Sequence, residues 1–203
     1  MDDQATEPDS KRRILDAART LFARTGYEGT STRAIGAEAG LNIATIAYHV
    51  GSKRELYQQV LEEMDRQERT VLLGALPDAL PDDPAARRRA LFEALDRYLA
   101  FCIANPEVPM LWMRRWLDED GDLPDAETAY ALPAYRQIEA AVGDQAESPH
   151  LLVRTLVWSI YGFCTGGVFD RDDHRTGPGD PAAVEAFRLH LHRVADAMLK
   201  PLP

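Results

Sequence analysis

Residues 31–53, STRAIGAEAGLNIATIAYHVGSK, constrain this chain more tightly than any other stretch. Two short runs with helical apolar spacing stand either side of a glycine, and each is preceded by a residue that can cap a helix. Ser31 or Thr32 can accept a backbone amide at the start of the first run, in which Ile35 and Ala39 face inward. Gly40 supplies the turn, Asn42 can cap the second run, and Gly51 ends it. A second helix held at a fixed angle by such a turn is a device for entering the major groove of DNA. Upstream, Ile14, Ala18, Leu21 and Phe22 form one stripe of a helix expected over 11–26, with Ser10 as its cap.

The remainder also reads as helix. Ser52-Lys53-Arg54-Glu55 is a capping box, in which the serine takes an amide of the first turn and the glutamate reaches back. It opens a helix to about residue 73 that carries Leu56, Val60, Leu61 and Met64. Prolines and aspartates make 77–84 a loop. Helices follow over 85–104, 109–118 and 126–142, the last bent at Pro133, with a polar break at 118–125. The run 149–169 is apolar on nearly every side, which predicts burial on more than one face. Residues 170–180 form a polar, Gly- and Pro-bearing loop. The last helix, 181–200, carries Val184, Phe187, Leu191, Val194 and Met198 at alternating spacings of three and four, a helix-packing seam. No strand-like alternation is present. The expected fold class is all-α: a disordered tail at 1–10, a three-helix DNA-binding domain with a helix-turn-helix at 11–55, and a larger helical effector and dimerisation domain at 56–203.

The net charge of −10 at first argues against a nucleic-acid partner, but its distribution reverses that reading. Residues 11–55 carry eight basic and four acidic side chains, whereas 56–203 carry 15 basic and 25 acidic. The positive excess coincides with the helix-turn-helix, and an acidic remainder confines phosphate contact to that end. The acidic N-terminus is unlike a secretion signal, and no apolar run is long enough to span a membrane. Cys102 and Cys164 lie far apart inside apolar helical patterns, without the spacing of a metal site, which suits a reducing cytoplasm. No GxSxG, glycine-rich phosphate loop, HExxH or paired CxxC occurs, so an enzyme is not expected, and neither is a cofactor.

In order and spacing, ILDAARTLFARTGYEGTS, RAIGAEAG and YHVGSK followed by ELY resemble the TetR family of bacterial transcriptional regulators over residues 11–60. The resemblance implies a cytoplasmic homodimer on a palindromic operator, with the last two long helices pairing across the dimer. It implies a repressor released by a small-molecule effector. A regulator without an effector, and an activator, remain the alternatives. Matched to the family's positions, Lys53, Tyr48 and His49 contact phosphates, although His49 can instead pack against the first helix. Thr32 donates to a phosphate. Ala44 and Thr45 approach bases and offer methyls to thymine, and Arg33 reads a guanine or else meets a phosphate or forms a solvated salt bridge. Ala47 replaces a common aromatic, Val50 replaces a common phenylalanine, and Ile43 is apolar where a polar reader can sit, so methyl contacts and DNA shape gain weight.

For the effector, Tyr98, Phe101, Cys102, Trp112, Met113, Trp116, Trp158 and Phe163 are the candidate lining of an apolar pocket, the alternative being a packed core. The implied ligand is small and apolar or aromatic.

Overall fold

The computed structural model describes residues 7–74, 81, 83–117 and 127–201. Most of the loop at 77–84, the polar break at 118–125 and the first six residues of the tail lie outside the described residues. The chain divides into two compact units, residues 1–64 with 110–124 and residues 65–109 with 125–203.

The first unit opens with α1 (Glu7–Gly29), which is interrupted at Gly26, where the backbone leaves helical geometry at a φ of 75°. This helix starts before residue 11, and Ser10 lies buried within it, a correction to the capping role read from the sequence. Pro8 falls in the first turn, where no amide has to be donated. α2 (Thr32–Ala39) is capped by Ser31, whose side chain accepts from Ala34 N at 3.1 Å. α3 (Ile43–Val50) is capped by Asn42.

Two glycines make the turn between these helices. Gly40 sits in the left-handed region at φ 66°, and a Cβ on Gly36 would lie 2.8 Å from the Leu41 carbonyl oxygen. Ile14, Phe22, Ile35, Ile46 and Leu56 are essentially fully buried, and the Tyr57 ring meets Phe22 edge-on at 4.9 Å. α4 (Lys53–Gly74) buries Leu56, Val60, Leu61 and Met64, so this unit runs past the boundary at 55 read from the sequence. It also takes in the later part of α6 (Glu107–Leu117), where Arg114 Nε donates to the Ala23 carbonyl at 2.7 Å and Nη2 to that of Arg24. Both carbonyls belong to the turn of α1 just before the Gly26 break.

In the second unit α5 (Pro84–Ala104) packs against α8 (Pro149–Gly166) and α9 (Pro181–Met198), and α7 (Leu132–Val142) packs against α8. The bend expected at Pro133 is a π-helical turn, Glu127–Ala131, running directly into α7. A proline cannot donate back to the preceding turn, so the wider turn falls just before it. α8 stops at Gly166. Val168–Phe169, expected as its last turn, form β1, which pairs antiparallel with β2 (Arg175–Thr176). This hairpin corrects both the loop at 170–180 and the absence of strands; two-residue strands are too short for alternation to register.

α9 is tied to α5 by the ion pairs of Arg188 with Asp96 at 3.2 Å and Arg88 with Asp196 at 2.6 Å, and by a hydrogen bond between His192 Nε2 and Asp96 Oδ1 at 2.6 Å. Phe187 of its seam stacks on Phe163 of α8 at 4.1 Å. Among the described residues no helix is long and apolar enough to cross a membrane.

Candidate nucleic-acid interface and apolar cavity

The eight residues of α3 divide cleanly. Ile46 and Val50 are buried, whereas Ile43, Ala44, Ala47 and Tyr48 are exposed. Spacings of three and four along a helix put these four on one outward face. Tyr48 is 77% exposed, which removes the alternative of a core aromatic and leaves its hydroxyl in solvent. His49 is half-buried, its ring edge-on to Tyr48 at 5.1 Å.

Asn42 Oδ1 accepts the Thr45 amide at 2.8 Å and the Thr45 hydroxyl at 3.0 Å, so the hydroxyl is engaged in the cap. Arg33 is exposed in the first turn of α2, and Thr32 beside it is half-buried.

Lys53 begins α4, and its Nζ lies 4.2 Å from the centroid of the Tyr27 ring. The contact holds the ammonium close to the helix N-terminus, where partial positive charge also favours an anion. The capping box is formed as read. Glu55 Oε2 accepts from Ser52 N and Ser52 Oγ, each at 2.8 Å, and Glu55 N donates to Ser52 Oγ at 3.2 Å. The Ser52 amide hydrogen bond, followed by that of its hydroxyl, holds the Glu55 carboxyl below the usual glutamate range.

The second unit contains an apolar cavity with about 650 Å³ of space unoccupied by atoms, its mouth included. Leu91, Leu95, Ile138, Val153, Leu156 and Leu199 are among its walls. Of the eight residues expected to line a pocket, Tyr98 alone lines this one. Cys102 and Phe163 are buried elsewhere in the same unit, Phe101 is half-buried, and Trp158 is 54% exposed. Trp112, Met113 and Trp116 belong to the first unit, where Trp112 is fully buried. The walls of this cavity are mainly aliphatic, joined by Phe92 and Tyr98, and the helical spacing of the aliphatic residues is that of any core.

One polar cluster adjoins these walls. Glu68 of α4 is only 7% exposed, and its Oε1 lies 2.7 Å from the Tyr98 hydroxyl and 2.9 Å from that of Tyr161, the two hydroxyls being 2.8 Å apart. Burial, and then the charge of Glu68, push both phenols well above the ordinary tyrosine range. Nothing in QERT marks Glu68 as an inward residue, since acidic groups are usual on a solvated helix face.

Residues 14–60 match the family described as bacterial regulatory proteins, tetR family. The biofilm operon icaADBC HTH-type negative transcriptional regulator IcaR of Staphylococcus aureus is 39% identical over 49 residues, which is 24% of this chain and 26% of that protein. The Staphylococcus epidermidis IcaR is 36% identical over 52 residues, 26% of this chain and 28% of its own. The chain thus matches about a quarter of the length of these curated relatives.

The fold is shared over nearly the whole chain. PfmR, a TetR family transcriptional regulator from Thermus thermophilus, superposes with a TM-score of 0.63 at 21% identity, covering 98% of both chains. HlyIIR, a hemolysin II transcriptional regulator, gives 0.66 at 20% identity over 97% of this chain and 100% of its own.

Proposed function

Taking as premise that this chain belongs, through residues 14–60, to the TetR family of bacterial regulators, we propose that it binds a palindromic operator as a homodimer and represses transcription until a small apolar ligand releases it. The observation that carries the DNA reading is the outward face of α3, followed directly by Lys53 at the N-terminus of α4. Tyr48, His49, Thr32 and Lys53 anchor phosphates; Arg33, Ala44 and the exposed methyls of α3 meet the bases. A negative regulator among the relatives favours repression over activation.

Dimerisation is supported by exposed apolar side chains concentrated near the end of the chain. Leu151 and Trp158 lie seven residues apart on α8, and Leu189 lies on α9. Symmetric self-association covers such a face, and two reading heads then meet half-sites one groove repeat apart, about 34–36 Å.

The effector reading rests on the cavity, whose walls accept an apolar body. A ligand that prefers the DNA-incompetent arrangement shifts the population by its differential affinity, typically about 1–3 kcal/mol, or about 5–150-fold in operator affinity. The test is binding of the full chain to duplexes selected from a random pool, titrated with salt. A saturable, competitor-resistant complex is expected, and Lys53→Ala is expected to lower the magnitude of the salt slope by about one. Sequence-blind binding would refute the operator reading, and no loss of operator affinity across a library of small apolar compounds would refute the effector.

A further inference from the structure

We propose that Ile43 reads the 5-methyl group of thymine, so that this chain selects half-sites with A·T pairs beneath the start of α3. The inference deepens the operator reading above and rests on it.

Ile43 is 52% exposed at the first position of α3, beside Ala44, also exposed. The N-terminal residues of a recognition helix are the ones that approach base edges. The nearest side-chain acceptor is committed to the cap: Asn42 Oδ1 takes both the amide and the hydroxyl proton of Thr45. Tyr48 stands more than a turn further along. Ile43 and Ala44 thus place a branched alkyl group and a methyl at the leading end of the helix.

In the major groove a base pair offers donors, acceptors and one apolar group, the thymine C5-methyl. Against that methyl, the Ile43 side chain loses water without stranding a polar atom. Against guanine O6 and N7, or the cytosine amino group, it would exclude water and return no hydrogen bond, which is penalised. Attraction to thymine and rejection of G·C thus come from one side chain. Isoleucine at this position also has no part in the core, and β-branching does not favour helix, so packing does not account for it.

The test selects duplexes from a random pool with the full chain, then replaces each thymine of the selected site by deoxyuridine, which removes only the methyl. Affinity is expected to fall about fourfold at one or two positions per half-site, the equivalent of about 0.8 kcal/mol for one buried methyl-sized group. In Ile43→Ala those same replacements are expected to have little effect, with the thermal melt unchanged because the side chain is exposed. Ile43→Gln, a residue that pairs with adenine N6 and N7, is expected to move the preference to the other strand of the A·T pair or to a neighbouring position. Uniform indifference of the wild type to deoxyuridine, or an equal loss in Ile43→Ala, overturns the proposal while operator binding stands. Failure of the pool to yield any enriched sequence overturns the operator reading itself and this inference with it.

Discussion

The Tyr98 hydroxyl donates to Glu68 Oε1 at 2.7 Å while the same side chain forms part of the cavity wall. Glu68 lies on α4, the helix that begins at Lys53. A side chain of the cavity wall is thus bonded directly to α4. Each phenol has one proton, so Tyr98 and Tyr161 cannot both donate to Glu68 and also to each other. The three groups act as one unit in a medium where hydrogen bonds to charge are strong.

Tyr98→Phe keeps the ring and removes the hydroxyl. It is expected to cost about 2 kcal/mol in urea unfolding, the scale of a buried hydrogen bond to a charged group. Tyr161→Phe should cost a similar amount. Because both hydroxyls meet Oε1 of the same carboxylate, the double variant should depart from the sum of the two. Strict additivity in the cycle would show that the phenols act independently.

The cap of α4 carries a pH dependence whose sign follows from Glu55. Its folded pKa is lowered, chiefly by the Ser52 amide, so its contribution is fully present above the unfolded glutamate pKa and is lost as pH falls through the folded value. Glu55→Gln is therefore expected to destabilise at pH 7 and to be nearly silent at pH 2, measured by chemical unfolding at each pH. Ser52→Ala, which removes the cap acceptor itself, is expected to cost about 1 kcal/mol at pH 7.

Neither cysteine is poised for thiol chemistry. Burial pushes Cys164 up to about 11, and burial followed by the Glu68 charge pushes Cys102 further. At pH 8 the thiolate fraction of Cys164 is then about one in a thousand. Iodoacetamide at pH 8, followed by intact mass, is expected to leave Cys102 unmodified and Cys164 nearly so, with both labelled after denaturation. Rapid native labelling of either would show that its environment is more open than the structure describes.

Trp158→Glu tests the dimer. The indole is more than half exposed, so the substitution spares the core. Sedimentation velocity is expected to show a shift toward monomer and, with it, loss of cooperative operator binding. An unchanged dimer would move the interface away from this face of α8.

The caps and turns of α2, α3 and the start of α4 were legible in the sequence almost to the residue. Ser31, Gly40, Asn42, Gly51 and the Ser52–Glu55 box each act on backbone groups within four positions, so their chemistry is written in local order. Helical spacing likewise anticipated α5, α8 and α9 to within a few residues. Where local signals compete or are too short, the reading slipped, as at Ser10, which lies inside α1, and at the hairpin of Val168 and Phe169.

What only the tertiary structure decided is which side chains share a space. Whether an apolar residue fills a core or faces a void depends on partners from other helices, and periodicity reports the inward face without saying what lies across it. Leu91, Ile138 and Leu156 became cavity walls, whereas Cys102 and Phe163 became core and Trp158 surface. Glu68 is buried because Tyr98 and Tyr161, 30 and 93 positions away along the chain, bring hydroxyls to one of its oxygens. Sequence order fixed the caps because their bonds are local, and three-dimensional packing chose the cavity and its carboxylate because their contacts are not.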